Sequence, residues 1–354
     1  MGKIFASVLI DTYNHERFIE QAIVSVLEQD FPAADREIIV VDDGSTDRTP
    51  EIVRKFEPRV RLLRKENGGQ ASAFNAGIPE CKGEIVAFLD GDDWWAAPKL
   101  SRVAAVFAEA PEVGMVGHGF YQADSDGTVQ ARIVPERLFH LSARSLVDAR
   151  EFARLKGFFG TSKVAYRRSV LERILPVPEE LIIEADEFLW TVAICLTNAM
   201  LIPEPLFYYR FHAANFFMSQ DRGARGLRLK HRALSGLLKH LPSRLAELGV
   251  PDGITAALLD LLRVDTDLLR LQLDGGSPLE MFYVERKTYQ LLYGKTSLGF
   301  RLFKAGVLAL TLIMPPRRFL RLKQWYSAKG LARIRRRFGE ASPAAPIVEE
   351  KRET

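Results

Sequence analysis

At 354 residues, the chain is long enough for one full α/β domain of about 200–250 residues plus something smaller. Two cysteines, Cys81 and Cys195, give neither a disulfide framework nor metal-cluster spacing, which fits a reducing compartment. The net charge of +4 hides a split: residues 1–223 hold 25 Lys and Arg against 33 Asp and Glu, and residues 224–354 hold 24 against 12, so a basic surface belongs to the C-terminal part.

The first residues run straight into an apolar segment, Ser7–Ile10, without the longer apolar stretch and small-residue cleavage site of a signal peptide. That segment reads as a strand ending in the polar turn Asp11-Thr12-Tyr13-Asn14. Glu16 to Gln29 carries Phe18, Ile19, Ala22, Ile23, Val26 and Leu27 at helical spacing, and Pro32 follows. A second strand, Glu37–Val41, ends in Asp42-Asp43-Gly44-Ser45-Thr46-Asp47, where Ser45, Thr46 or Asp47 can cap a helix over Pro50–Phe56. Val60–Leu63 is a third strand. Asn67-Gly68-Gly69 is a tight turn, and Gln70–Gly77 reads as a helix leading to a fourth strand, Ile85–Leu89.

That fourth strand stops in Asp90-Gly91-Asp92-Asp93. Three carboxylates within four residues repel one another unless a cation or donor sits among them, and hard oxygen ligands at a strand end suit Mg²⁺ or Mn²⁺. The plainer alternative is a solvated acidic turn. Alternating strands and helices predict a doubly wound, mostly parallel sheet, in which ligands bind outside the carboxyl ends of the strands. Asp11, Asp43 and the Asp90–Asp93 group are therefore expected on one edge. No Gly-x-Gly-x-x-Gly or Gly-x-x-x-x-Gly-Lys-Ser/Thr loop is present, so neither a dinucleotide site nor a Walker-type NTPase is supported.

Ser-Val-Leu-Ile-Asp-Thr-Tyr-Asn, Glu-Ile-Ile-Val-Val-Asp-Asp-Gly-Ser-Thr-Asp, Asn-Gly-Gly-Gln-Ala-Ser-Ala-Phe-Asn-Ala-Gly and Phe-Leu-Asp-Gly-Asp-Asp, in this order, resemble the inverting family-2 glycosyltransferases of GT-A fold. The resemblance is strong over residues 5–100 and looser to about residue 220. It implies that Thr12 and Tyr13 line a base pocket and that Asp43 accepts from a uracil- or thymine-type imide. Asp11 departs from the commoner proline or threonine and either binds the base or caps the turn. Asp42 is as readily structural. Asn67 and Gly69 approach the diphosphate or sugar, or only turn the chain. Asp90 and Asp92 form the Asp-x-Asp element, which bridges a divalent cation (Mn²⁺ or Mg²⁺) to the diphosphate, with Asp93 as a further ligand.

Glu184-Ala185-Asp186-Glu187-Phe188-Leu189-Trp190 offers the family's acceptor-side acids with the Glu moved one place. Asp186 is taken as general base, with Glu184 and Glu187 as alternatives, or as acids favoured by a helix dipole. Tyr208-Tyr209-Arg210-Phe211-His212 is similar to the family's Tyr-Arg-x-His segment, so that His212 completes the metal shell and Arg210 contacts phosphate. The Gln-x-x-Arg-Trp element of processive synthases is missing, which favours transfer of single sugars. Trp94 and Trp95 either stack on a sugar or pack in the core.

Gly226–His240 and Ile254–Leu273 read as helices of a small appendage. From Arg286 through Phe338 there are 14 basic residues and no acidic one. Ala305–Pro316 is apolar but too short for a span of about 20 residues. Apolar and aromatic residues mixed with Lys and Arg over 298–340 suit helices lying in the interface of an anionic membrane, against the alternative of basic helices packed on the catalytic domain or binding RNA.

The expected plan is therefore a catalytic domain over 1–223, a helical appendage over 224–297, basic amphipathic helices over 298–340 and a disordered tail over 341–354. The expected activity is metal-dependent transfer from a nucleoside-diphosphate sugar to a glycan or polyprenyl-linked acceptor, at the cytoplasmic face of a membrane and with no nucleic-acid partner. The rivals are a nucleotidyltransferase, whose Gly- and Arg/Lys-rich N-terminal loop is lacking, and an inactive nucleotide-binding membrane module.

Overall fold

The computed structural model describes residues 5–212, 224–293, 298–329 and 347–350. Its first half alternates β1 (Ala6–Thr12), α1 (Ile19–Leu27), β2 (Arg36–Asp42), α2 (Thr49–Arg54), β3 (Arg61–Arg64), α3 (Gln70–Gly77) and β4 (Ile85–Asp90). β1 pairs in parallel with β2 on one side and β4 on the other, and β2 pairs in parallel with β3. Thr12 lies opposite Asp42 and Asp11 opposite Asp90, so strand direction alone brings the acidic strand ends to one edge.

The chain continues through β5 (Trp94–Trp95), α4 (Lys99–Glu109), β6 (Val113–Ala123), β7 (Val129–Val134), β8 (Phe139–Leu141), α5 (Leu146–Leu155), β9 (Val164–Arg167), α6 (Arg168–Ile174), α7 (Ala185–Leu196) and β10 (Asn198–Arg210). Both faces of the central strands are dry, which explains their unbroken apolar runs. Leu9, Val41 and Phe88 pack with Phe74 of α3 on one face. Val8, Ile10, Val40 and Leu89 pack with Ile23 of α1 and Val103 of α4 on the other. β9 runs antiparallel between β4 and β6, a reversal that the apolar pattern does not announce. β10 pairs in parallel with β6 and antiparallel with β5, and so delivers Arg210 and the following His212 to the Asp90–Asp93 turn.

The helix expected from Glu16 begins at Ile19. The His15 N–H donates to Thr49 Oγ1 at 2.9 Å and the Glu16 N–H to Asp47 Oδ2 at 3.0 Å, so side chains of the next loop hold the segment before the helix. Asp47 also accepts from the Thr49 N–H at 2.9 Å, where α2 opens with Pro50 in its first turn.

The C-terminal part is helical: α8 (Ala224–Glu247), α9 (Asp252–Leu273), α10 (Pro278–Tyr293), α11 (Leu298–Ile313) and α12 (Pro316–Lys329). Leu234, Leu237 and Leu241 of α8 and Leu258 and Leu262 of α9 belong to the same buried cluster as Phe88 and Phe188, so α8 and α9 are packed on the catalytic domain. Val264, Leu271, Met281, Val284, Phe319 and Leu320 form a smaller core under α9, α10 and α12. A short strand, β11 (Ile347–Glu350), pairs antiparallel with β7 within the segment expected as a tail. Residues 341–346 and 351–354, on which the rest of that expectation falls, and 330–340, the end of the expected basic helices, lie outside the described residues.

Candidate functional site

Four carboxylates from three segments stay partly open to solvent at the sheet edge: Asp11 from β1, Asp90 ending β4 with Asp92 just after it, and Asp186 from α7. They sit within one another's fields. Burial pushes Asp11 up to about 8, and the charges of Asp92, Asp186 and Asp43 add to the rise. Asp90 is raised well above the usual carboxylate range by burial and by Asp11, Asp93, Asp92 and Asp186. Asp11 Oδ1 and Asp93 Oδ2 are sealed from solvent with no hydrogen-bond partner among the described residues. The edge is therefore a basin of crowded carboxyls in which burial and mutual repulsion favour bound protons.

Asp43, Asp42 and Asp93 lie behind this surface, buried. Asp43 holds the Lys65–Gly69 loop: Oδ2 accepts from the Gly69 N–H at 2.7 Å and Oδ1 from Gly68 N–H at 3.0 Å and Lys65 Nζ at 2.8 Å. Asn67 Nδ2 donates to the Asp43 carbonyl at 3.0 Å. Asp42 Oδ1 accepts from the Ser45 N–H at 2.9 Å and its other oxygen lies 3.2 Å from Arg64 Nε, which is a turn-holding role. Thr12 is buried with its hydroxyl 3.2 Å from His15 Nδ1, whereas Tyr13 is exposed.

At the Asp90–Asp93 turn, Asp92 Oδ2 lies 2.9 Å from His212 Nε2 and 3.9 Å from His15 Nε2. Burial works against the Asp92 charge, but the two histidines outweigh it and hold the carboxyl below its usual range. Arg210 departs from the expected phosphate contact. It is buried, its backbone N–H donates to Asp93 Oδ1 at 3.0 Å and its Nε to the Asp92 carbonyl at 2.9 Å. The guanidinium lies 4.8 Å from the Phe18 ring centroid and 4.3 Å from that of Trp94, and Phe18 in turn lies 4.6 Å from the His212 ring. Arg210 thus bolts the acidic turn from behind, with Nη1 donating to the Ser125 carbonyl at 3.3 Å and Nη2 to Gln21 Oε1 at 2.5 Å. Trp94 stacks on Tyr208 at 4.8 Å, and Trp95 is in the core.

Among the described residues, no three His, Cys, Asp or Glu side chains converge to hold a metal ion. The donor pair that does meet is Asp92 and His212; Asp93 is turned inward onto Arg210. An oxygen and a nitrogen donor, with the carboxyls of Asp11 and Asp90 in the field of Asp92, fit a divalent cation shared with a phosphate ligand, rather than one caged by protein alone.

The three acids around α7 separate clearly in their surroundings. Glu187 is buried against Lys156, 2.6 Å from its Nζ. Glu184 has a positive φ of 61° and lies 3.4 Å from Lys230 Nζ of α8; burial pushes its carboxyl up to about 7, opposed by Lys230. Asp186 faces the basin: Oδ2 accepts from the Thr161 N–H at 3.0 Å and lies 3.3 Å from Thr161 Oγ1, and Oδ1 accepts from the Glu187 N–H at 2.9 Å. Burial and the nearby Glu187 raise its pKa, opposed by Thr161 and Lys163.

Several residues of the site carry no sequence signal. Ser162 Oγ accepts from the Asp90 N–H at 3.0 Å and lies 3.1 Å from Asp90 Oδ2. Lys99 is buried, with Nζ donating to the Ser162 carbonyl at 2.7 Å. Burial lowers Lys163, against the pull of Asp186, Asp93 and Asp90. Gln70 lies in the Asn-Gly-Gly-Gln motif without an assigned role, and Thr161, Ser162 and Lys163 belong to no recognisable pattern; only the antiparallel insertion of β9 brings 161–163 to the acidic edge.

The sequence pattern of glycosyl transferase family 2 matches residues 7–175. An uncharacterized glycosyltransferase of Nostoc sp. is 36% identical over 219 residues, covering 60% of this chain and 66% of that protein. The poly(ribitol-phosphate) β-N-acetylglucosaminyltransferase TarS of Staphylococcus aureus is 37% identical over 107 residues, 29% of this chain and 19% of TarS. The chain thus spans a little under two thirds of the first relative's length and much less of the second. The crystal structure of TarS 1–349 in complex with UDP-GlcNAc superposes with a TM-score of 0.50 at 20% identity, covering 81% of this chain and 89% of that one, a likeness of fold.

Proposed function

The chain belongs to glycosyl transferase family 2 through residues 7–175, and on that premise we propose that it transfers a sugar, with inversion, from a nucleoside-diphosphate donor to an acceptor hydroxyl. The observation that carries this reading is the shared basin: Asp11 feels the charges of Asp92, Asp186 and Asp43, which arrive from three other segments. A UDP- or dTDP-sugar is the proposed donor. Its base lies by Thr12, Tyr13 and the Asp43-held loop, and its diphosphate by Asp90 and Asp92.

Asp186 is the proposed general base. It is the acid of the α7 group whose field reaches Asp11 and Asp90, while Glu187 and Glu184 are tied to Lys156 and Lys230. A carboxylate whose pKa is raised toward neutrality takes a hydroxyl proton more readily than an ordinary one. Asp92 and His212 would hold Mn²⁺ or Mg²⁺, and such a cation neutralises the charge that develops on the departing diphosphate. Arg210 and Phe18 keep that donor pair in place.

The proposed acceptor is a lipid-linked or cell-surface glycan, met at an anionic membrane surface. The support is the outward face of α11, where Leu298, Leu302, Leu312 and Ile313 are 70%, 65%, 46% and 79% exposed, with Ala305, Gly306 and Ala309 open between them. Arg301 flanks this stripe on one side, and Arg318 and Arg321 of α12 flank it at the far end, all exposed. Lys304 and Lys323 turn inward instead, onto buried Glu285 at 3.7 Å and 2.6 Å. No helix among the described residues is long and apolar enough to cross a membrane, so α11 would lie in the interface.

The test separates the two halves of the site. Asp92→Ala is expected to lose both transfer and Mn²⁺-dependent UDP binding by calorimetry, whereas Asp186→Ala loses transfer but still binds. Full turnover by either variant removes that residue from the mechanism.

A further inference from the structure

We propose that Gln70 is a positioning residue: it fixes the direction of the Thr161 hydroxyl and thereby keeps a second donor on the Asp186 carboxylate. This rests on the reading of Asp186 as the base. Gln70 opens α3 directly after Gly69, and its backbone N–H donates to the Ile182 carbonyl at 2.9 Å. Its side chain makes two bonds of opposite sense. Oε1 accepts from the Ala185 N–H at 2.9 Å, at the first residue of α7, and Nε2 donates to Thr161 Oγ1 at 3.0 Å. The Ala185 N–H can only donate, so the atom facing it must be the amide oxygen, and the group facing Thr161 must be the NH₂.

Thr161 Oγ1 therefore accepts from Gln70. Its single proton is left to point at Asp186 Oδ2, 3.3 Å away, on the oxygen that already accepts the Thr161 N–H at 3.0 Å. Without the amide donor, nothing sets which way that hydroxyl turns. The same residue closes a chain between the two halves of the site. Asp43 Oδ2 accepts from the Gly69 N–H at 2.7 Å, and Gly69 is followed immediately by Gln70, then Thr161 and Asp186. The loop held from the nucleotide side also sets the pose of the base.

The groups facing Asp186 are Glu187 and Glu184 from its own segment, Lys163 beside Thr161, Asp11 on β1, Asp90 on β4 and Tyr166 on β9. Burial and Glu187 disfavour the Asp186 anion, and the Thr161 N–H, Lys163 and the Glu187 N–H favour it. Gln70→Glu is isosteric but places an acceptor where the donor stands, so the Thr161 proton turns toward it and away from Asp186. Thr161→Val removes the hydroxyl and keeps its shape and N–H. Thr161→Ser keeps the hydroxyl.

The experiment follows the Asp186 carboxyl of the full chain by ¹³C NMR across pH, the signal being assigned by its loss in Asp186→Asn. Its midpoint is expected to rise by about one pH unit in Gln70→Glu and in Thr161→Val, and to stay within a few tenths of wild type in Thr161→Ser. An unchanged midpoint in either Gln70→Glu or Thr161→Val overturns the proposal. If Gln70→Glu does not fold, Gln70→Met, which removes the amide donor without adding charge, takes its place and is read the same way. Release of UDP from a UDP-sugar by Asp186→Asn is scored separately: retained turnover there defeats the base reading, whatever the midpoints show.

Discussion

Gly69→Ala tests the packing on which the site depends. Gly69 has φ 81° and ψ −178°, a region that residues with a Cβ essentially do not occupy, at a cost of about 1–3 kcal/mol. A Cβ there would stand 2.2 Å from Ile182 Cγ2 and 2.6 Å from Ile182 Cα. The Ile182 side chain can rotate aside but its backbone cannot, and overpacking of this kind costs a further ~1–3 kcal/mol. The loss is therefore about 2–6 kcal/mol, or roughly 5–20 °C in melting temperature for a domain of this size. The shift would also stretch the 2.7 Å bond to Asp43 and the Gln70 bonds to Ile182 and Ala185, so UDP affinity should fall together with stability. Thermal unfolding of the full chain, with and without UDP and Mn²⁺, measures both. Gly157→Ala is the control, since a Cβ there meets nothing within 4 Å. A Gly69→Ala melting point within 2 °C of wild type (well inside the ~5 °C minimum loss), with unchanged UDP affinity, would refute the described contact with the 181–185 segment.

Asp11 titrates at about 8 in the folded chain against 3.8 in its ordinary state. The folded form thus holds a proton that the unfolded form lacks across that window, and stability is lost as pH rises through it, by ~1.4 kcal/mol per unit. Asp11→Asn should consequently gain on wild type in melting temperature from pH 5 to pH 8, and parallel curves would defeat the assignment. Lys156→Ala leaves Glu187 buried without its 2.6 Å partner and should cost about 3 kcal/mol in chemical unfolding, most of it recovered by making Glu187→Gln as well. For the membrane face, Leu302→Glu combined with Ile313→Glu in the full chain should abolish flotation with phosphatidylglycerol vesicles while leaving the melting point unchanged, because both side chains are exposed. Flotation equal to wild type removes α11 as the contact.

The four parallel strands, their order in the chain and the acidic strand ends were legible in the sequence for a local reason. Strands buried on both faces must be continuously apolar, so the first polar residue marks where each one emerges. That fixed Asp11, Asp43 and the Asp90–Asp93 turn on one edge, and the short motifs around them carried the family resemblance. What lies behind the edge depended on residues far apart in the chain. Arg210 looked like a phosphate ligand beside an open site, yet it packs against Asp92, Asp93, Phe18 and Trp94, because β10 pairs with β5 and runs it in behind the turn. Asp186 was singled out from Glu184 and Glu187 only by its spacing to Trp190 within the resemblance, since nothing local told the surroundings of the three acids apart. They separate only when Lys230 of α8, Thr161 before β9 and Lys156 after α5 arrive to pair with them. In the same way a run of basic residues does not say which of them face outward: Glu285 pairs with Lys304 and Lys323, while Arg301, Arg318 and Arg321 lie on the surface. Periodicity and burial are properties of a segment, whereas the partner of a buried charge is a property of the fold, because the cost of burying it is met only by whatever the tertiary structure sets against it.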